Sequence, residues 1–303
     1  MINPIDQNPF QQMRDGVAPT RESWLSFVQS TLLVIGAGFL LSGIVSFFAY
    51  NWDHLHRFTK LGLVGMLLLA TFGAALATRK HKLAHQVSIT SMSVLVGVFL
   101  ALTGQIYQTG ADAYLLFLSW SVCIAVWVFI ANFPPLWLLF FATTLTATIL
   151  AGIQLGSSYT DQYFVDALVC LAFICAFWLL PKALKTAPTP KWFINVLFIA
   201  AATISVVFCI LLSTESKILS LSITTLLVLA TAIVYGWKEQ NLSVFTLGLV
   251  LLLFLVVDIQ VTLTLKSFQE LSGTLFIATF LSFTGLFLIA LAVTQTRKFF
   301  SKK

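Results

Sequence analysis

Ten long apolar runs dominate this sequence and decide what the chain can fold into. Each approaches the roughly 20 residues that an α-helix needs to cross the hydrocarbon core of a bilayer. A helix also satisfies its own backbone hydrogen bonds, as lipid requires. We therefore predict an all-α integral membrane protein with about ten transmembrane helices, at residues 26–50, 58–78, 87–107, 113–131, 135–153, 164–180, 192–212, 219–237, 242–265 and 274–293.

The scarcity of charge excludes a soluble enzyme. Charged residues make up 9% of the chain, whereas a soluble domain carries roughly 25%. With ten helices, both termini lie on one side of the membrane, and 13 of the 17 lysines and arginines fall on that side. The positive-inside rule places this side in the cytoplasm. The net charge of +6 is then explained by membrane orientation, and no nucleic-acid partner is predicted.

The runs suggest a division of the chain into four parts. A polar cytoplasmic tail at residues 1–24, with three prolines, is expected to be a disordered arm. Five helices follow in residues 25–153 and five more in residues 154–293, which include a Pro- and Lys-rich cytoplasmic linker at 181–191. A basic cytoplasmic tail, 294–303, ends the chain.

Polar residues near the predicted outer ends of the helices form the candidate site. Asp258 is the most unusual of them, because it lies within the apolar stretch LLLFLVVDIQVTL. An ionised carboxylate at the centre of a membrane helix costs about 2.5–3.5 kcal/mol, so it should face protein or water. We predict an outer-leaflet pocket of Asp258, Asp166, Lys60 and Gln105; the alternative is an interfacial aspartate paired with a snorkelling lysine. The full candidate cluster is Asn51, Trp52, Asp53, Lys60, Gln105, Tyr107, Asp112, Asp166 and Asp258.

Small residues recur at helical spacing in the third run. Gly97, Ala101 and Gly104 lie on one helix face and predict a packing seam, since small residues let membrane helices approach closely. Gly38, Ser42 and Ser46 in the first run are a candidate partner seam. A substrate-lined path is the alternative interpretation of the third run.

No metal or cofactor is predicted. His54 and His56 form a single HxH, which is a weak signal, and the pair His81 and His85 lies in a lysine-rich turn. We expect these histidines to be solvated or to cap helices. The four cysteines lie in apolar runs with no CxxC pair.

The two outer turns carry a resemblance. The stretch FFAYNWDHLHRFTKLGL and the later GQIYQTGAD resemble the DUF2157 family of bacterial membrane proteins, a domain of unknown function, over residues 24–153. The resemblance implies a multi-pass protein of the inner membrane, and no activity comes with it. Physically, Gly110 suits a tight turn, Asp112 is expected to cap the fourth helix, and Gln105 and Tyr107 are expected to hydrogen-bond to Asn51 or Trp52.

Two functions remain open from the sequence. One is a non-enzymatic membrane component whose partners are the bilayer and, as an open alternative, another membrane protein. The other is a small-solute transporter of the five-plus-five inverted-repeat plan. An intramembrane enzyme is not expected, because neither a catalytic helix motif nor an HExxH metal motif is present. The sequence does not indicate the oligomeric state.

Overall fold

The computed structural model of the chain describes residues 9–14, 18, 20–50, 56–107, 112–185, 188–212, 218–268 and 271–301. Within these ranges all of the regular secondary structure is helical. The helices, in chain order, are α1 (Pro9–Arg14), α2 (Arg21–Tyr50), α3 (Arg57–Ala77), α4 (Lys82–Tyr107), α5 (Ala113–Ala131), α6 (Pro134–Leu155), α7 (Tyr159–Ala183), α8 (Lys191–Leu212), α9 (Ile218–Lys238), α10 (Leu242–Phe268) and α11 (Leu271–Ser301).

The long helices in the described ranges follow the predicted apolar runs one for one. The bounds of α5 coincide with its run, and most of the others extend into the flanking polar residues. Helices α2–α7 contain stretches long and apolar enough to cross a membrane, while α8–α10 hold shorter apolar stretches in their described residues. The all-α membrane class is confirmed; ten crossings and cytoplasmic termini stay predictions.

Two described parts of the amino-terminal tail are helical, where a disordered arm was predicted. A disordered arm was expected over residues 1–24, but α1 lies within it and α2 begins at Arg21. Phe10 of α1 makes edge-on ring contacts with Trp24 and Phe27 of α2, at centroid distances of 5.5 and 5.3 Å. The prediction was wrong here because it weighed the polarity and prolines of the tail and missed the aromatic contact that anchors α1.

A tight turn joins α5 to α6. Asn132 adopts a left-handed conformation with φ of 40°, and its N–H donates to the carbonyl of Val128 at 3.1 Å. Pro134 is the first residue of α6, a position where the missing N–H of proline costs nothing. Across the turn, the hydroxyl of Ser121 donates to that of Thr143 at 2.8 Å, so the two helices form a hairpin.

The chain divides into two compact units, Met1–Thr143 and Thr144–Lys303. The first unit is built around α3, α4 and α5 and the first half of α6. Its core is a buried apolar cluster of Ala75, Ile89, Ile124, Val128, Ala131 and Leu136. A second cluster joins Val64 of α3 to Leu102 of α4. The predicted boundary between the halves, after residue 153, lies further along α6.

The second unit contains the rest of α6 and helices α7–α11. Neighbouring helices in sequence pack together, as α7 does with α8, α9 with α10 and α10 with α11. Fully buried side chains at these contacts include Tyr163, Ile174, Phe193, Leu197, Phe198 and Val228. Tyr163 and Ala167 of α7 also contact Ile204 and Phe254, so α7 is the central helix for the polar site described next.

Candidate functional site: a buried carboxylate in the second unit

Helix α7 carries a buried pair of polar side chains one helical turn apart. Asp166 is completely buried and Gln162 is 8% exposed. The Nε2 of Gln162 donates to both carboxylate oxygens of Asp166, each at 2.9 Å. Residues four apart lie on the same helix face, so the local geometry of α7 alone brings these groups together.

Helix α6 completes the surroundings of this pair. Nε2 of Gln162 also donates to the backbone carbonyl of Thr148 at 2.8 Å. A Cβ added to Gly152 would lie only 1.5 Å from Oε1 of Gln162. The absence of a side chain at position 152 therefore makes room for the amide, and α6 holds Gln162 in the orientation that reaches Asp166.

A hydroxyl cluster lies next to the pair and connects three helices. The hydroxyl of Tyr163, which is 1% exposed, lies 2.8 Å from Oγ1 of Thr225 on α9 and donates to Oγ of Ser205 on α8 at 3.3 Å. Buried hydrogen bonds between membrane helices stabilise their association. This cluster fixes the rotation of α7 and thus the direction of its neighbouring polar face.

Helix α7 begins earlier than predicted, and the additional turn contains Gln162, one of the two residues of the site. The apolar run predicted a helix from residue 164, which left Gln162 in a loop. In the structure the helix begins at Tyr159, because the hydroxyl of Ser158 accepts a hydrogen bond from the backbone N–H of Asp161 at 3.2 Å. The Ser-x-x-Asp spacing is a capping signature visible in the sequence, and it could have revealed Gln162 as a helical residue.

The carboxylate of Asp166 is buried without an opposing charge among the described residues. Asp166 makes no ion pair with any residue that the structure describes, and its described hydrogen-bond donors are neutral. A carboxylate in a membrane helix is costly unless it is protonated, solvated or paired. The amide of Gln162 supplies a donor to it, so this carboxylate is held in place by hydrogen bonds and not by an opposing charge.

The other residues of the predicted outer cluster are divided between the two units. Lys60 on α3 is 7% exposed, and Gln105 and Tyr107 are exposed at the end of α4. These three belong to the first unit, whereas Asp166 and Asp258 belong to the second. Asp258 lies in α10, but its side chain is outside the described part of the structure. The shared outer pocket stays a prediction.

The predicted clasp between the two outer turns is only partly within the described residues. Asn51, Trp52, Asp53 and Gly110 lie outside them. Asp112 occupies the N-cap position of α5, as predicted, but its side chain makes no capping hydrogen bond. That part of the prediction was wrong: the side chain is exposed, where water can satisfy it.

The predicted seam on α4 contacts α5. Gly97 is buried and Ala101 and Gly104 are half-buried. A Cβ at Gly97 would lie 2.3 Å from the ring of Trp120. The candidate partner seam on α2 makes no such contact, since nothing lies within 4 Å of a Cβ at Gly38. An aromatic ring thus occupies the space at Gly97.

Two of the three described histidines, His56 and His85, form side-chain hydrogen bonds at helix ends. Nδ1 of His56 accepts from the N–H of Phe58 at 3.4 Å at the start of α3, and Nδ1 of His85 bonds to the carbonyl of Ala75, near the end of α3, at 2.8 Å. His54 lies outside the described residues. Among the described residues, no cluster of three or more His, Cys, Asp or Glu side chains could hold a metal ion.

Helical packing, a polar pair buried inside the helices, and several stretches able to span a bilayer together define a multi-pass membrane protein. Comparison with known families agrees. Residues 5–137 match the family described as predicted membrane protein DUF2157. This match, which covers less than half of the chain, confirms the resemblance seen in the two outer turns. No curated protein and no solved structure matches the chain.

Proposed function

We propose that the chain is a non-enzymatic component of the bacterial inner membrane, with both termini in the cytoplasm. In this proposal it packs against another membrane protein through its first long helix, α2. The use of its buried polar groups supports a non-catalytic role. Gln86 donates to the carbonyl of Ala131 at 3.1 Å, and Ser121 donates to Thr143. These buried side chains form hydrogen bonds that join neighbouring helices.

The observation that carries the proposal is the exposed surface of α2. No residue in the most apolar stretch of this helix is buried, whereas 39% of that of α4 is. Gly36 and Gly43 lie seven residues apart on one face, and no atom lies within 4 Å of a Cβ at either position. This helix therefore has more free surface than the other described spans of its unit.

Gly43 forms part of an apolar groove between α2 and α3. The groove has a volume of about 330 Å³ and is lined by Phe39, Leu40, Gly43, Ile44, Phe47, Leu63 and Leu67. Lipid alone can cover an apolar face. A glycine between two phenylalanines, however, is the shape that lets a second helix approach closely. The occupant that fits is a transmembrane helix of a partner protein.

Purification in mild detergent from the native membrane tests this proposal. A Gly43→Leu variant places a side chain in the groove, and Gly38→Leu is its matched control, because no atom lies within 4 Å of a Cβ at either position and position 38 does not line the groove. We expect wild type and Gly38→Leu to retain a stoichiometric membrane partner that Gly43→Leu loses. A monomer in all three preparations, or equal loss in both variants, would overturn the proposal.

A proton-coupled solute transporter is the second candidate, and Asp166 favours it. A fully buried carboxylate in a membrane helix, without an ion-pair partner among the described residues, is the kind of group that carries protons in transporters. In proteoliposomes containing a pH-sensitive dye, this candidate requires a protein-dependent proton flux. The flux should disappear in Asp166→Asn and persist in Asp112→Asn, which changes an exposed carboxylate in the first unit that makes no capping hydrogen bond. Absence of any flux in the wild type would contradict it.

A further inference from the structure

A second polar site lies at the opposite end of α7 from Asp166. It is a pocket of about 380 Å³ between the end of α7, the start of α8 and the end of α9. The stretch of α7 that could span a membrane runs from Asp161 to Ala183, and this pocket lies at the carboxyl-terminal end of that stretch. Its charged and aromatic walls are Trp178, Lys182, Lys185, Lys191, Tyr235 and Glu239.

The pocket carries an excess of positive charge. Three lysines and one carboxylate line it. The carboxylate of Glu239 pairs with Lys182, while Nζ of Lys191 donates to the backbone carbonyl of Glu239 at 3.3 Å. Lys185 and Lys191 make no ion pair with a carboxylate in the described part of the chain. Two ammonium groups are thus available to an anion.

The start of α8 adds to this positive potential. Lys191 is the first residue of that 22-residue helix, and the N-terminus of a helix carries a partial positive charge and free N–H groups. The linker that precedes it is fixed by the hydroxyl of Thr189, which donates to the carbonyl of Phe177 at 2.7 Å. The lysines therefore surround a preformed cavity.

The aromatic residues indicate that a lipid supplies the anion. The ring of Trp178 packs edge-on against Tyr235 at 5.4 Å, and Nζ of Lys182 lies 5.3 Å from the centre of the Trp178 ring. Trp192 and Trp237, at the adjoining ends of α8 and α9, are about half exposed. Tryptophans at helix ends lie at the level of the headgroups, and basic pockets between membrane helices bind anionic headgroups.

We propose that this pocket binds the phosphate of an anionic phospholipid headgroup. The lysines at positions 185 and 191 contact the phosphate, and Glu239 holds Lys182 and Trp178 as the wall of the site. The ligand is recognised by its charge and by its position at the bilayer surface. This site and the α2 groove belong to different units of the chain, and each proposal is tested with its own variants.

Lipid titration of the delipidated full chain tests the proposal. We expect phosphatidylglycerol to bind at least about tenfold more tightly than phosphatidylcholine, since each of the two lysines near an anionic lipid contributes about a fivefold gain in affinity. The double variant Lys185→Gln/Lys191→Gln should lose this preference. Lys80→Gln/Lys82→Gln, which removes the same charge from exposed positions in the first unit, should keep it.

The measurement is native mass spectrometry, with thermal unfolding in phosphatidylcholine nanodiscs as a check that both variants are folded. Equal binding of the two lipids to wild type, or equal loss of preference in both double variants, would overturn the site. A third arm uses inorganic phosphate with nanodiscs of phosphatidylcholine alone. If phosphate stabilises the wild type as much as phosphatidylglycerol does, the anion comes from solution and the lipid assignment is wrong.

Discussion

Trp120 occupies the space that Gly97 leaves open on α4. Its indole N–H donates to the backbone carbonyl of Ser93 at 2.8 Å, while the hydroxyl of Ser93 donates to the carbonyl of Ile89 at 2.9 Å. The ring therefore contacts α4 through both packing and a hydrogen bond. Since the indole is rigid and wedged between two helices, a side chain at position 97 would have to displace it.

We predict that Gly97→Ala destabilises the protein. The added Cβ would lie 2.3 Å from Trp120, and such overpacking costs about 1–3 kcal/mol. Unfolding in mixed detergent micelles measures the change in free energy. Gly38→Ala is the control, because nothing lies within 4 Å of its Cβ; it should be neutral or stabilising by up to about 1 kcal/mol. Equal effects of the two substitutions would contradict the contact.

Glu239 joins the end of α9 to α7 and makes this contact sensitive to pH. Burial alone would raise the pKa of this carboxyl. Hydrogen bonds from Lys182 and Trp178, the latter at 2.9 Å, and the charges of Lys182 and Lys191 act in the opposite direction, so the pKa lies below its ordinary value of 4.5. A depressed pKa in the folded state means that ionised Glu239 stabilises the fold above this ordinary value.

We therefore expect Glu239→Gln to lower the melting temperature at neutral pH by a small amount, because Lys182 is 54% exposed and solvent weakens the pair. The difference from wild type should shrink as the pH falls below 4.5 and through the lowered pKa of Glu239. Thermal unfolding across this range measures it. A difference that grows toward acid pH would show that the ion pair is not its cause.

At the scale of elements, α7 shows how a helix start decides which side chains meet. The cap by Ser158 adds the turn that contains Gln162, and this turn lies against Thr148 and Gly152 of α6. Hydropathy places the apolar centre of α7 correctly but not its polar first turn, since a transmembrane window responds only to apolar residues. The sequence therefore predicted only one residue of the candidate site, Asp166, and did not predict Gln162.

Replacing Gln162 alone should lower the free energy of unfolding more than replacing Gln162 and Asp166 together. We predict that Gln162→Leu destabilises by about 1–3 kcal/mol, because the buried carboxylate of Asp166 loses the amide donor that reaches both of its oxygens. The double variant Gln162→Leu/Asp166→Leu should recover part of this loss, as no unsatisfied polar group then remains. Unfolding in micelles compares them. If the double variant is less stable than the single one, Asp166 has a further stabilising partner.

At the scale of the whole molecule, the asymmetry of charge provides a prediction about orientation. The lysines of the proposed lipid site, at one end of α7, α8 and α9, belong to the 13 basic residues counted on the predicted cytoplasmic side. Tyr107 at the end of α4, by contrast, belongs to the predicted outer side. Basic residues resist transfer across the inner membrane, so their distribution sets the topology.

Reporter fusions test this orientation directly. Alkaline phosphatase joined after Tyr107 should be active, and a fluorescent protein at the same position should be dark. The pattern should reverse for fusions after Lys185 and at the carboxyl terminus. If the fluorescent protein fused after Tyr107 is fluorescent, the topology is the inverse of the predicted one, and the lysine pocket lies at the outer surface.

The sequence by itself determined the class of this protein, the positions of its long helices and the residues that resemble DUF2157. These features are local or compositional: a run of about 20 apolar residues can satisfy its backbone in lipid only as a helix. Tertiary structure decided which helix faces meet. It brought Trp120 onto Gly97, Tyr163 to Thr225 and Glu239 to Lys182. In apolar helices nearly every face is compatible with burial, so hydropathy does not distinguish the face that packs from the face that lipid covers.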